Sequence, residues 1–256
     1  MAGASGPGWE AVQAEAVELL GVAADRGLAL RLVGSTGVRL HCAPAAEQLD
    51  AAGRPAKDID AVCLREDRRG LRQLLEERGW LVDRDLLVAM EGRRYAYRHP
   101  GSGLELDVFV DRLEFCHTIE LRDRLGRRAV TVPVEDLLLQ KLQIVRPTVT
   151  DRIDGRVLLA THPVAAAGGD AEAIDAAYVA GLLARDWGFH RTATANLRDL
   201  AASAAANGAG RLVAERADTL LAAIDAAPKS VRWRARARLG ERVQWWQDVD
   251  DREAVY

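Results

Sequence analysis

The sequence of 256 residues is poor in the residue types that build disulfides and zinc sites. It has three cysteines, at positions 42, 63 and 116, and no C-x-x-C spacing. This odd, scattered set argues against a disulfide framework or a thiolate zinc site, and it favours a reducing compartment. The five histidines never fall at H-x-x-x-H or H-E-x-x-H spacing, so a histidine zinc motif is not expected either.

Long apolar runs and a leader-like start are also missing. The opening residues have no basic segment followed by an apolar one, so no secretory signal is expected. The longest charge-free run, residues 157–169, is shorter than the ~20 apolar residues of a membrane span. The formal net charge of −3 favours neither nucleic acid nor membrane, and any such binding needs a local patch. We therefore expect a cytoplasmic globular protein that does not contact a membrane.

Lysine is scarce, because arginine supplies all but three of the 35 basic residues. The three lysines are Lys57, Lys141 and Lys229. A lysine kept in such a chain indicates chemistry that needs a compact ammonium group rather than a planar guanidinium. Drift at a solvated position is the alternative explanation for each of them.

The periodicity of the chain changes near residue 147. Before it, the pattern predicts helices at 9–26, 38–49, 67–78 and 134–145, and strands at 28–33, 58–64, 86–98 and 103–110. After it, helical segments follow one another at 151–160, 171–187, 192–206, 214–227 and 230–249, and no strand pattern recurs. We therefore expect an α/β (α+β) protein, with a small mixed sheet and flanking helices in residues 1–147 and an all-helical bundle in residues 148–256.

Three aspartates are predicted to lie on two strands of this sheet. Alternation puts Asp58 and Asp60 on one face of their strand, and it puts Glu105 and Asp107 on one face of another. If the strands are adjacent, Asp58, Asp60 and Asp107 approach one point, and their mutual repulsion then requires a cation. Hard oxygen ligands suit Mg²⁺ or Mn²⁺. The alternative is that these carboxylates line the solvent face of a half-buried sheet.

A Gly34-Ser35 pair stands where the first strand is predicted to turn into a helix. Backbone N–H groups and a hydroxyl at a helix N-terminus form a phosphate site. An ordinary turn is the alternative explanation for the pair taken alone. Its order in the chain, before the Asp-x-Asp strand and the third aspartate, favours the phosphate site.

These segments together resemble the DNA polymerase β-like nucleotidyltransferase superfamily, most of all the abortive-infection toxin type and its bacterial relatives. The resemblance covers about residues 28–160. The matching motifs are LVGSTGVRLH at 32–41, KDID at 57–60, LDVF at 106–109, VEDLLLQKL at 134–142 and DRID at 151–154. The segment between Ser35 and Asp58 is longer than in the antibiotic-modifying version of the motif.

The resemblance implies a role for each matched residue. Asp58 and Asp60 hold the metal that carries the nucleotide phosphates, and Asp107 binds a second metal and orients or deprotonates an acceptor hydroxyl. Gly34, Ser35 and Lys57 bind the nucleotide. The following residues are weighed against structural roles: Lys141 as a phosphate-binding or surface lysine, Lys57 as nucleotide contact or loop surface, Asp151 and Asp154 as active-site groups or helix caps, and Glu105 as an extra ligand or a solvated edge residue.

The segment 229–242 has six basic residues and one acidic residue, and tryptophans lie in or just after it. Basic residues among aromatics are typical of nucleic-acid contact, where bases stack on rings and phosphates meet arginines. The alternative is an arginine-rich C-terminal helix that packs its tryptophans, since the acidic residues that follow cancel much of the charge.

The sequence thus predicts a metal-dependent nucleotidyltransferase that moves NMP from an NTP to an unidentified acceptor hydroxyl. An RNA 3′ end, bound through residues 229–242, is slightly favoured as the acceptor over a small molecule or a protein hydroxyl. Mg²⁺ or Mn²⁺ is the expected cofactor. The alternative is a non-catalytic protein on the same scaffold that binds a nucleotide or a partner, in a toxin–antitoxin-like pair.

Overall fold

The computed structural model describes residues 8–43, 58–167, 172–204 and 208–248. The chain forms two compact units. The first unit comprises Met1–Leu113 and Glu120–Pro133, and the second comprises Glu114–Ile119 and Val134–Tyr256. A five-stranded sheet lies in the first unit and most of the second is helical, which confirms the expected α+β class.

The first unit alternates short helices and strands. Its helices are α1 (Trp9–Asp25), α2 (Gly34–His41), α3 (Arg68–Glu77) and α4 (Arg84–Ala89), and its sheet strands are β1 (Leu30–Leu32), β2 (Asp58–Cys63), β3 (Leu81–Val82), β4 (Arg94–Arg98) and β5 (Glu105–Val110). Two further short strands, β6 (Arg112–Glu114) and β7 (Thr118–Glu120), follow, with a 3₁₀ turn at Arg122–Arg124.

The sheet has the strand order β1-β2-β5-β4-β3. Strands β2 and β5 run parallel at its centre, and the other neighbours pair antiparallel. The apolar residues of one face, among them Ile59, Ala61 and Leu106, join a buried core with Val12 and Leu74 from the helices. Asp58 and Asp60 alternate with these core residues, so they lie on the other face of the sheet.

One predicted strand segment is wrong. Residues 86–90 were expected to be extended, but they lie in or directly after α4. The side chain of Asp83 accepts hydrogen bonds from the backbone N–H groups of Asp85 and Leu86, and this cap fixes the start of the helix. The apolar run 86–90 did not distinguish a short capped helix from a strand. The rest of the hairpin, β4 and β5, forms as predicted.

The second unit is built on helices, namely α5 (Val134–Leu142), α6 (Val149–Thr161), α7 (Ala176–Leu183), α8 (Trp187–Ala202), α9 (Gly208–Ala226) and α10 (Val231–Ala237). Helix α9 packs against α6, α7 and α8. Leu158, Leu183, Leu197 and Leu220 are fully buried in this unit.

Two expectations for the helical half are corrected. A short parallel pair, β8 (Val164–Ala165) and β9 (Ile174–Asp175), interrupts it, because Asp175 caps α7 and so delays the helix predicted from residue 171. The helix predicted over 230–249 ends at Ala237 and is followed by a 3₁₀ turn at Gly240–Arg242. Gly240 has a φ of +57°, which stops a regular helix there.

Among the residues that the structure describes, no helix is long and apolar enough to cross a membrane.

Candidate functional site

The central strands β2 and β5 bring two of the three predicted aspartates side by side. Asp60 and Asp107 are direct Cα partners in the parallel register, and Asp58 is the partner of Glu105. Asp58, Asp60 and Asp107 are half-buried, whereas Glu105 is exposed. The two carboxylate-bearing positions of each strand therefore share one sheet face, as the alternation predicts.

The turn between β1 and α2 is fastened to β2. The backbone N–H of Val33 donates to the carbonyl of Asp60 at 2.9 Å, and the Thr36 hydroxyl donates to the carbonyl of Asp58 at 3.2 Å. Gly34 opens the helix with a φ of +62°, which favours glycine. Ser35 is the next residue and is half-buried. The Gly-Ser turn thus lies directly beside the Asp-x-Asp strand.

Gly34 is also required for steric reasons. A Cβ atom at this position would lie 2.0 Å from Oδ2 of Asp60. The backbone at the start of α2 therefore packs directly against the Asp60 carboxylate. The start of a helix favours negative charge, since its first N–H groups carry the positive end of the helix dipole.

Arg94 is a site residue that sequence reasoning missed. Its guanidinium contacts both oxygens of Asp107, with Nη2 at 2.8 Å from Oδ2 and Nε at 3.4 Å from Oδ1. Its Cζ lies 5.1 Å from the ring centroid of Phe109. Alternation in β4 places Arg94 on one face with Ala96, but the register that sets it diagonally across from Asp107 is a tertiary fact. Arg94 supplies a cation on the face where the carboxylates lie.

The donor set on this face fits the divalent cation that the sequence predicts. Asp58, Asp60 and Asp107 offer carboxylate oxygens, which Mg²⁺ and Mn²⁺ prefer, and no soft ligand is among them. Lys57, predicted to contact the nucleotide, lies outside the described residues.

Lys141 belongs to the second unit, where it pairs with both aspartates of the DRID motif. Its Nζ lies 3.3 Å from Oδ1 of Asp151 and 3.1 Å from Oδ2 of Asp154. The Lys141 side chain is only 10% exposed and that of Asp154 is 0% exposed. Lys141 is therefore not a surface lysine; its role toward a nucleotide stays a prediction.

Asp151 also caps α6. It forms a reciprocal capping box with Thr148, whose side chain accepts from the Asp151 N–H while the Asp151 carboxylate accepts from the Thr148 N–H. Burial by itself raises the pKa of Asp151, but the Lys141 charge and the Thr148 hydrogen bonds outweigh it, so the pKa lies below its ordinary value. The capping role that the sequence left open for Asp151 is thus observed.

The basic segment 229–242 lies in the second unit, and the described acids nearest to it in sequence, Glu241 and Asp248, pair with other residues. Glu241 binds Arg191 at 2.6 Å, and Asp248 accepts from Gln244 and Trp246. Within the described part of the chain, Arg232, Arg234 and Arg238 have no ion pair, so ion pairing does not account for them.

Comparisons with known proteins give a coarse structural likeness. No family model and no curated protein matches the chain. Its structure is similar to an antigenic nucleotidyltransferase-like protein from Paracoccidioides brasiliensis. That match has 15% sequence identity and a TM-score of 0.39, and it covers 86% of this chain and 94% of the other.

Proposed function

We propose that the protein is a metal-dependent nucleotidyltransferase that transfers NMP from an NTP to an acceptor hydroxyl. The observation that carries the proposal is the parallel register of β2 and β5, which makes Asp60 and Asp107 direct neighbours beside the Gly34-Ser35 turn. A half-buried carboxylate pair next to a helix start is suited to hold a phosphate chain together with its cation.

Each residue has a distinct task in this proposal. Asp58 and Asp60 hold the cation, and Ser35 and the Gly34 backbone bind the triphosphate. Asp107 helps to bind a second cation, orients the acceptor hydroxyl and accepts its proton as the oxygen attacks the α-phosphorus. The bond from the α-phosphorus to the bridging oxygen then breaks, and pyrophosphate leaves. A bound divalent cation supplies neutralisation of the charge that develops on the phosphates.

Arg94 competes with a divalent cation in this scheme, because both take the lone pairs of the Asp107 carboxylate. Both side chains of the ion pair are 20% exposed, so water can solvate the two charges when the pair opens. Arg94 then has the charge and the reach to contact a phosphate oxygen. Asp107 is free to act on the hydroxyl only after Arg94 has released one of its oxygens.

The same ion pair favours a second candidate. A guanidinium that holds both oxygens of Asp107 is suited to a scaffold that binds a nucleotide without reacting it. In that case the chain is a non-catalytic nucleotide- or partner-binding protein, as in a toxin–antitoxin-like pair. The abortive-infection toxin type is the group that the motifs resemble, and either form fits it.

The two candidates are separated by one assay. The protein is incubated with each radiolabelled NTP, with Mg²⁺ or Mn²⁺, and with total RNA or total protein as acceptor. We expect label in the acceptor fraction and its loss in Asp60→Asn, with the fold retained by circular dichroism. Asp123→Asn, an exposed aspartate in the 3₁₀ turn, is the matched control and should keep full activity.

NTP binding without any label transfer would favour the non-catalytic candidate. Transfer at the wild-type rate by Asp60→Asn would contradict the assignment of the site itself. Ser35→Ala adds a separate test, since loss of one hydrogen bond to a charged phosphate should weaken NTP binding by ~1.5–3 kcal/mol.

A further inference from the structure

A concave pocket of the second unit, distinct from the carboxylate face, combines tryptophans with arginines. It has a volume of about 310 Å³. Its lining includes Arg185, Arg232, Trp233, Trp245 and Trp246. The whole lining comes from four segments that are distant in sequence, so sequence periodicity alone did not reveal the pocket. These segments are 116–118, 185–188, 232–236 and 244–247.

The pocket walls are held in place by a dense set of contacts. Arg236 lies 4.7 Å above the Trp187 ring and donates to the carbonyls of Gly240 and Val243, at 2.8 and 2.6 Å. The Trp245 indole N–H donates to the Thr192 hydroxyl at 3.1 Å. Arg236 is thus committed to holding the wall and is not a ligand-binding arginine.

The last described segment of the chain packs closely against the start of α8. A Cβ atom on Gly188 would lie 2.5 Å from the backbone oxygen of Trp245. The backbone N–H of Gln247 donates to the carbonyl of Cys116 at 3.0 Å. These contacts fix Trp245 and Trp246 at the pocket, so the aromatic wall is formed before any ligand binds.

Two arginines of the lining remain available. Arg185 and Arg232 are exposed, and neither has an ion pair among the residues that the structure describes. One carboxylate, Asp186, also lines the pocket, but it is engaged as the N-cap of α8 through the Phe189 N–H. Asp186 keeps its negative charge, but Arg185, Arg232 and Arg236 outnumber it, so the formal charge of the lining is positive, in a chain whose net charge is −3.

We propose that this pocket binds single-stranded nucleic acid, by stacking an unpaired base on its tryptophans and holding the adjacent phosphates with Arg185 and Arg232. Indole faces recognise a planar base, and guanidinium groups recognise phosphate. The volume is at the small end of ligand pockets, which fits one base with its phosphate and excludes a duplex. An acidic peptide would use the arginines but would leave the indole wall unexplained.

The proposal goes beyond the transfer reaction, because binding is measured without NTP and without metal. If strand binding and nucleotidyl transfer are both observed, we infer that the bound strand is the acceptor. Only this inference rests on the proposed function. If the protein transfers label but does not bind a strand, only the pocket proposal is contradicted. If the protein binds a strand but transfers no label, only the proposed transfer function is contradicted.

The test measures binding of a short fluorescein-labelled oligouridylate to the full chain by fluorescence anisotropy at several salt concentrations. Arg185→Gln with Arg232→Gln is compared with Arg234→Gln with Arg238→Gln. The second pair removes the same charge from exposed arginines in or next to α10 that do not line the pocket. We expect the first pair to raise Kd by about tenfold and to flatten the salt slope by about 0.7 log units for each lost phosphate contact. The second pair should change Kd by less than about twofold.

Stacking is tested at Trp246, whose observed contacts are with Trp245 and Asp248 of its own segment. Trp246→Leu should raise Kd by about tenfold, and Trp246→Phe, which keeps an aromatic face, should restore most of the affinity. Thermal melting of each variant reports whether the wall is still folded.

Three outcomes would overturn the proposal. They are no measurable affinity of the wild type for the oligouridylate, equal weakening by the two arginine pairs, and an affinity for free UMP equal to that for the strand. Competition by polyglutamate at equal charge concentration would point instead to an acidic peptide.

Discussion

The two units handle the charge of their aspartates in opposite ways. In the first unit, Asp107 pairs with Arg94 in a half-buried position where both side chains are 20% exposed. In the second unit, Lys141 is 10% exposed and holds both Asp151, at 16% exposed, and the fully buried Asp154. A pair that keeps contact with water can be opened at lower cost than a pair with a fully buried partner, because a stranded buried charge has no water to solvate it. The first arrangement suits a site that exchanges cations, and the second suits a brace between α5 and α6.

The largest effect is expected from breaking the buried cluster. Lys141→Met should destabilise the protein by about 3–5 kcal/mol, because Asp151 and Asp154 lose the cation that compensates them. Urea unfolding at neutral pH measures the change. Arg211→Met, at an exposed position of α9, is the control and should change stability by less than about 0.5 kcal/mol.

Adding Asp154→Asn to Lys141→Met should recover part of the loss, since it removes a stranded charge. A Lys141→Met protein as stable as the wild type would contradict the structural role of this cluster and would favour the predicted phosphate-binding role of Lys141.

The next effect concerns His117, a second buried polar group of the second unit. Burial lowers its pKa to about 4, against a smaller opposing effect of the Asp186 charge. Its ring stacks on Phe189 and its Nε2 lies 2.9 Å from the Thr192 hydroxyl. Since the unfolded chain takes up a proton near pH 6.5 and the folded chain does not until about pH 4, stability should fall as pH decreases between these values, by about 3 kcal/mol.

Urea unfolding across this pH range, compared with His117→Asn, isolates the contribution of the ring. The slope should be reduced in His117→Asn and kept in the control His99→Asn. Asp151 acts at lower pH, because its lowered pKa gives stability that is lost as the pH falls below its ordinary value of 3.8. An unchanged slope between pH 6.5 and 4 in His117→Asn would be inconsistent with a buried neutral imidazole.

How far the sequence predicts these features depends on the range of the interactions. Alternation correctly placed Asp58 with Asp60 and Glu105 with Asp107, because period two is a local property of a strand. The position of Arg94 needs the β4–β5 register, and the shared pocket of Arg185 and Arg232 needs packing between elements distant in sequence. Residues 86–90 were misassigned because an apolar run has no period, and the cap at Asp83 decided the outcome.

A smaller loss of stability is expected from a substitution at Gly34 in the first unit. Gly34→Ala puts a Cβ on a residue with φ of +62° and drives it against the Asp60 carboxylate, so we expect a loss of about 2 kcal/mol together with weaker NTP binding. Gly103→Ala is the matched control. It has a φ of +72° and no atom within 4 Å of the added Cβ, so it carries the backbone strain of about 1 kcal/mol alone.

Equal losses in the two glycine variants, with NTP binding unchanged in both, would show that the contact with Asp60 adds nothing to the backbone strain and that NTP binding does not depend on the Gly34 turn.

The smallest effect on stability is expected from the Arg94–Asp107 pair of the first unit. A double-mutant cycle of Arg94→Gln and Asp107→Asn should give a coupling energy of about 1 kcal/mol, since both side chains retain contact with water. That coupling should shrink at high salt, whereas the loss in Lys141→Met should not, because buried charges are screened much less.

The functional role of the Arg94–Asp107 pair is tested by metal binding. Arg94→Gln removes the cation that competes for the Asp107 oxygens, so it should bind Mn²⁺ more tightly than the wild type in calorimetric titration, while Asp107→Asn should bind it more weakly. A coupling energy as large as that of a buried cluster, with no gain in Mn²⁺ affinity for Arg94→Gln, would mean that Asp107 is locked by its arginine, and the non-catalytic candidate would then be favoured.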